Sequence, residues 1–381
     1  MKKVYLDNAS TTQLRPEVIQ EMTKVLLEDY GNPSSTHSFG RKAKSILELS
    51  RKAIAKQLNA SAQEIIFTSC GTEANNWILR SAVRDLGVKR IITSKIEHHA
   101  VLFTAQALQI EFDIQVDYVA VKPNGEIDIT DLVDLLSQET KTLVSLMHVN
   151  NEIGTVLDLD KVGRICQQHH ALFHSDMVQS IGKTEIDLQT LPIDFMVSSA
   201  HKFHGPKGVG FCFVRKESGL KPLIFGGEQK RGYRAGTEST HNIIGMDEAL
   251  KIAYDNLGEE KNYVSGLKSY FIKQLKEHLG DVSFNGGCED ATNSTYTLVN
   301  VCLPIAPEKA PMLQFQLDLK GVACSKGSAC QSGSNQQSHV LTALLDEDHQ
   351  KRPSVRFSFS IYNTKEELDY VVSVLKEFVN S

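Results

Sequence analysis

Apolar and polar positions divide the chain into short hydrophobic runs separated by amphipathic stretches. EIIFTSC (64–70) is a β-rich run, and GTEANNWILRSAVRDLG after it has helical spacing. RIITSKIEH (90–98), TLVSLMHV (142–149), ALFHSDMV (171–178), DFMVSSAH (194–201) and VGFCFV (209–214) are further strand candidates. Helical stretches such as DKVGRICQQHH (160–170) lie between several of them. This alternation predicts an α/β fold whose central, mainly parallel sheet is covered on both faces. Upstream, RPEVIQEMTKVLLEDYG and RKAKSILELSRKAIAKQLN are amphipathic helices by spacing.

The pattern changes after residue 255. A long helix, KNYVSGLKSYFIKQLKEHLG, precedes two strand-like runs, TYTLVNVCLPI and SVRFSFSIY. TKEELDYVVSVLKEFVN then reads as a terminal helix with Thr364 as its N-cap. The expected organisation is a large domain over 16–255 and a smaller α+β domain made of 1–15 and 256–381. There is no internal repeat.

Composition narrows the function classes. The 381 residues are 41% hydrophobic and 23% charged, ordinary for a water-soluble protein. A net charge of -5 suggests no nucleic-acid or anionic-membrane surface. No apolar run approaches a membrane span, and MKKVYLDNASTT lacks the apolar core of a signal peptide, so a cytoplasmic location is expected. The seven cysteines form no C-x-x-C pair, which argues against a disulfide framework or zinc ribbon. Most, such as Cys212 in VGFCFV, read as small buried apolar residues. Cys330 stands apart, because SKGSACQSGSNQQS has almost no large apolar residue to cover a thiol. Cys324, after the apolar VA, reads as a strand residue.

Chemistry-bearing residues fall at the ends of the apolar runs, where doubly wound sheets bind ligands. The turn at Gly71-Thr72 offers free backbone N–H groups and a positive helix end for a phosphate, although many such turns bind nothing. Asp176 could cap a helix or face a protonated heterocyclic nitrogen. Lys202, in SSAHKFHGPKG, is either a surface lysine in a turn or a desolvated amine suited to Schiff-base chemistry. His98 ends a predicted strand, where a histidine is usually structural. His169, His170 and His174 span a helix end and the next strand, so no metal site is expected of them.

Taken in order, YLDNASTT, GNPSSTH, FTSCGTEANN, SKIEHHAV, MHVNNEIGTV, HSDMVQSIGK, SAHKFHGPKGVG, RGYRAGTE, GSACQSG and SVRFS resemble the cysteine desulfurases. These are a branch of the fold-type I pyridoxal 5'-phosphate (PLP) enzymes, also called class V aminotransferases. The resemblance runs over nearly the whole chain, and its loop around Cys330 is similar to the long loop of housekeeping and nitrogen-fixation members. It implies that Lys202 carries PLP covalently, that Asp176 pairs with the ring nitrogen and that Gln179 bonds the phenolic oxygen. His98 would stack on the ring and move protons. Gly71, Thr72, Ser199 and His201 would hold the phosphate, joined by Thr237 from a neighbouring subunit, which implies a homodimer.

On the same resemblance, Asn151 and Arg356 would hold the substrate L-cysteine, Arg356 through its carboxylate. Cys330 would take the sulfur as a persulfide and leave L-alanine, with Gly327 and Gly333 as hinges. A sulfur-acceptor protein is implied for iron–sulfur assembly or another thiolation. Housekeeping members that dock an iron–sulfur scaffold carry an additional C-terminal tail, whereas the given sequence stops at Ser381, so the resemblance leaves that scaffold interaction open. A selenocysteine lyase or other PLP lyase of the same fold is the main alternative. A non-catalytic sulfur carrier or scaffold is the alternative of another class.

Overall fold

A computed structural model describes residues 2–227, 232–326 and 338–380. Cys330, Gly327 and Gly333 lie outside the described residues. A seven-stranded sheet organises the first two thirds of the chain. With β1 at Val4–Tyr5, its strands are β2 (Ile65–Thr68), β3 (Arg90–Ser94), β4 (Gln115–Val119), β5 (Thr142–Ser145), β6 (Leu172–Asp176), β7 (Phe195–Ser199) and β8 (Gly210–Val214). Their order is β2-β8-β7-β6-β5-β3-β4. Only β8 runs against the others, pairing antiparallel with both β2 and β7. Five of the seven strands are buried at every position, which requires helices on both faces and explains why their sequences are apolar throughout.

Two hydrophobic clusters flank this sheet. One gathers Phe67, Ile92, Val144, Phe173 and Met196, and the other Ile66, Trp77, Ile91, Leu143 and Phe195. Consecutive strand residues thus alternate between the two faces. The α/β expectation and the mainly parallel sheet are borne out.

The strands are shorter than the apolar runs suggest. RIITSKIEH stops pairing at Ser94, TLVSLMHV at Ser145, ALFHSDMV at Asp176 and DFMVSSAH at Ser199. The apolar residues that follow, Ile96, Leu146, Met177 and Ala200, are buried all the same. Leu146, Met177 and Ala200 belong to the same core cluster as Phe67 and Phe173, and Ile96 packs with Ile153, Val340 and Leu341. His98 therefore does not end a strand. It is the N-cap of the helix His99–Phe112, with its Nδ1 accepting the Ala100 N–H at 3.1 Å.

A second assembly involves both ends of the chain. β9 (Ser283–Phe284), β10 (Leu298–Cys302), β11 (Val322–Ala323) and β12 (Ser354–Ser358) follow the long helix Leu257–Leu279. β12, β10 and β9 form an antiparallel sheet, and β1 pairs parallel with β11. Asp7 bridges to Ser358, Asn8 donates to the Ser358 carbonyl at 2.8 Å, and the Ala9 N–H donates to the Ser358 hydroxyl at 2.8 Å. The terminal helix, Lys365–Asn380, starts as expected at Thr364. Thr364 Oγ1 accepts the Glu367 N–H while the Glu367 carboxylate accepts the Thr364 N–H, a reciprocal capping box.

Candidate active site

A cleft of about 790 Å³ opens at the carboxyl edge of the large sheet. Its lining includes Gly71, Thr72, His98, Asn151, Asp176, Gln179, Ser199, His201, Lys202 and Arg356. Ten of the residues singled out from sequence therefore share one cavity. Thr237 is exposed and is not part of that lining.

One wall comes from strand ends. β2 runs into the helix Gly71–Leu86, whose first-turn N–H groups face the cleft from an uncapped N-terminus. A Cβ on Gly71 would come within 2.8 Å of Val178 Cγ2, so no larger residue fits without a shift there. β6 delivers Asp176, which is buried and doubly held. Its Oδ2 accepts from Asn75 Nδ2 at 2.7 Å and its Oδ1 from the Val178 N–H at 3.0 Å. β7 delivers Ser199, whose buried hydroxyl has no hydrogen-bond partner among the described residues. Past β7, a 3-10 turn over Ala200–Lys202 turns His201 and Lys202 inward.

The opposite wall comes from the two chain ends. Arg356 on β12 is only 1% exposed. Its guanidinium reaches Asp7 Oδ1 at 3.0 Å, Ser10 Oγ at 2.7 Å and the Asn151 carbonyl at 2.7 Å. Lys202 crosses the cleft to this wall, donating to the carbonyls of Ala9 and Ser10 at 2.7 Å each. Gln179 donates to the same Ala9 carbonyl at 2.8 Å.

Burial sets the protonation of the histidines. His98 is held below its usual range by desolvation, opposed by Asp176 and reinforced by Lys202 and His339. Desolvation and the nearby Lys202, Lys207 and Lys183 push His201 down to about 3, so it is neutral at pH 7. Its Nδ1 lies 3.2 Å from Thr11 Oγ1. His174 serves structure, with its buried Nδ1 2.8 Å from Ser145 Oγ.

The described residues that flank Cys330 in sequence are fixed to this cleft. Ser325 exchanges two backbone hydrogen bonds with Arg356, at 3.2 and 2.7 Å. Ser338 donates to Glu152 Oε2 at 2.5 Å, and His339 Nε2 pairs with the Glu97 carbonyl at 2.8 Å, one residue from His98. Cys330 lies five positions beyond Ser325 in sequence, a reach of about 17 Å for an extended chain. Cys324 is a poor second thiol. Burial, with Asp7 adding to it, pushes it up to about 12.

Sequence reasoning missed Asn75, the partner of Asp176, although a polar residue one turn inside a buried helix face was a usable signal. It also missed Asp7, Ala9 and Ser10. Two of these act through backbone carbonyls, which leave no mark on side-chain pattern. His339, whose ring lies 4.3 Å from that of His99, was likewise not seen.

The donor set fits the cofactor expected from the resemblance. An unpartnered buried hydroxyl beside an open helix N-terminus suits a phosphate, a fixed carboxylate suits a pyridinium nitrogen, and a lysine amine faces the same space.

Comparison with known proteins points the same way. The family model described as aminotransferase class-V matches residues 4–371. The chain is 40% identical over 380 residues to the cysteine desulfurase IscS of Dictyoglomus turgidum, covering 99% of this chain and 95% of that one. It is equally similar to the cysteine desulfurase IscS of Clostridium botulinum, at 40% with 99% and 94% covered. A solved structure titled NIFS-like protein superposes with a TM-score of 0.91 at 36% identity, covering both chains completely.

Proposed function

From the premise that this chain belongs to the class-V aminotransferase family, we propose that its cleft is the active site of a PLP-dependent cysteine desulfurase acting on L-cysteine. Bound PLP supplies an electron sink that makes the substrate α-proton acidic. The chain's residues supply the rest. Lys202 would anchor the cofactor and, as a free amine that the Ala9 and Ser10 carbonyls can hold, would move the α-proton. Asp176, fixed by Asn75, keeps a proton on the ring nitrogen. His98, held neutral, would move protons for the bound cofactor and substrate, and Gln179 would donate to the phenolic oxygen. Gly71, Thr72, Ser199 and His201 hold the phosphate. Arg356 and Asn151 receive the substrate carboxylate.

Cys330, as thiolate, attacks the substrate sulfur. The substrate C–S bond breaks as an S–S bond forms, leaving a persulfide on Cys330, and the β-carbon takes up a proton to give L-alanine. The observation that carries this assignment is the attachment of both flanking segments at the cleft, through Ser325 on one side and Ser338 and His339 on the other. Exposed Thr237 serves the phosphate of a second copy in a homodimer. The acceptor is a separate protein of iron–sulfur assembly or thiolation. The division into 16–255 and 1–15 with 256–381 places Arg356 and the Cys330 segment on the smaller unit and Lys202 on the larger. Among the described residues, no helix is long and apolar enough to cross a membrane.

The test is an assay of purified protein for alanine and sulfide from L-cysteine, with mass spectrometry of Cys330. One-sulfur mass gain on Cys330 is expected. Cys330→Ser should keep the cofactor spectrum and lose sulfide release by about a hundredfold or more. Undiminished turnover in that variant would remove Cys330 from the mechanism.

A further inference from the structure

Behind Gln179 lies a second, smaller cavity of about 480 Å³, lined by Asn8, Thr12, Arg15, Lys183, His204 and Glu260 among others. It shares Ala9 with the catalytic cleft. Lys183 faces Gln179 from this side, donating to its Oε1 at 3.2 Å. Gln179 therefore sits between a partner that can only accept, the Ala9 carbonyl, and one that can only donate while charged, the Lys183 ammonium. Both require the same amide orientation, with NH2 toward Ala9 and the cleft. Ala9 also takes the Lys202 amine, so one carbonyl joins Gln179 and Lys202.

We propose that Lys183 is a positioning residue for the cofactor: a second amine, linked to Lys202 through Gln179 and the Ala9 carbonyl, whose hydrogen bond fixes the Gln179 amide as a donor to the cleft. The inference rests on the function proposed above. No step of that mechanism uses Lys183, yet its position costs the chain a half-buried amine.

The charges around Lys183 favour this role. Arg15 and Glu260 face the cavity as a mutual ion pair at 2.7 Å, so Glu260 does not neutralise Lys183 alone. His201 and His204 are both held neutral, and Lys183 contributes to lowering each of them. Lys207 also acts on His201, and Tyr296 donates its hydroxyl to the Lys183 carbonyl. The neighbouring titratable groups are thus neutral, cationic or already paired. Desolvation, then the charge on Lys202, brings Lys183 down to about 7. Repulsion between two cations is mutual, so a proton on Lys183 lowers proton affinity at Lys202 as well.

A spectrophotometric pH titration of the holoenzyme tests this. Lys183→Met, similar in length and uncharged, should raise the midpoint of the cofactor's visible band by about 0.5–1 pH unit. Lys183→Arg, which stays charged, should leave the midpoint at or below the wild-type value. In cofactor-free protein, pH-dependent acetic anhydride labelling of Lys202, read by mass spectrometry, should shift in the same order. A Lys183→Met midpoint at or below wild type overturns the proposal. A wild-type protein with no cofactor band would instead overturn the functional reading, and the labelling series would then decide the role of Lys183 alone.

Discussion

The two walls of the cleft are built on opposite plans. On the sheet wall, polar groups are left short of partners: the Ser199 hydroxyl has none among the described residues, and Asn75 Oδ1 is also unmatched. On the chain-end wall, the groups are mostly committed to one another: the two terminal nitrogens of Arg356 are spread over Asp7, Ser10 and the Asn151 carbonyl, while its Nε has no partner among the described residues. A buried group without a partner gains a hydrogen bond outright when a ligand arrives. A saturated group must exchange one partner for another. The sheet wall is thus prepared for a resident cofactor, and the chain-end wall for a substrate that binds and leaves. Lys202 belongs to the first in sequence and to the second in hydrogen bonding.

Four measurements sharpen or break this contrast. Lys202→Ala removes a side chain that spans both walls, and turnover should fall by about a thousandfold or more with loss of the visible cofactor band. A retained band and rate would dissolve the assignment. Arg356→Ala should harm two things together, because its partners are part of the fold. An apparent KM for cysteine at least about tenfold higher and a loss of about 2 kcal/mol of stability are expected, given that Asp7 is partly exposed. A raised KM with unchanged denaturant midpoint would mean the wall is not built as described.

Acid should act mainly through the sheet side. His148 and His174 follow or lie within β5 and β6, and burial lowers them to about 4 and 3. The unfolded chain binds protons at these sites below about pH 6.5, while the folded chain does not. Stability should therefore fall as pH drops from about 6.5 toward 4, by up to about 1.4 kcal/mol per pH unit for each histidine. His174→Asn should flatten that slope in a thermal-melt series. A slope unchanged by the substitution would exclude His174 as a source. The smallest effect belongs to Ser199→Ala. It should weaken PLP binding several-fold, read by cofactor titration, and leave the stability of the cofactor-free protein within about 0.5 kcal/mol.

The sheet wall was the legible one. Strand ends and the glycine turn at Gly71 appear as breaks in apolar runs, which marked Asp176 and Lys202 as candidates with open alternatives, whereas Ser199 followed only from the family resemblance. Strand lengths were not legible, because Ile96, Leu146 and Met177 are as buried past the strand ends as their neighbours are within the sheet, and hydrophobicity reports burial rather than its cause. The chain-end wall was legible only at Arg356. Ala9 and Ser10 contribute carbonyl oxygens that any residue carries, and the partnership of Asp7 with Arg356 joins positions 349 residues apart.

That last separation has a consequence for how the molecule is made. β1 adds to a strand that is synthesised more than three hundred residues later, and Ala9 is held by a serine on β12. The first ten residues leave the ribosome early, but the strand partners that hold them in place, β11 and β12, exist only when the chain is nearly complete. The large sheet can assemble during translation from neighbouring segments, whereas joining the ends needs loop closure over almost the full length. A nascent chain would thus possess the lysine, the aspartate and the phosphate turn well before it possessed a working cleft, and a ribosome-stalled chain truncated before Ser354 should lack the carbonyl-anchored position of Lys202.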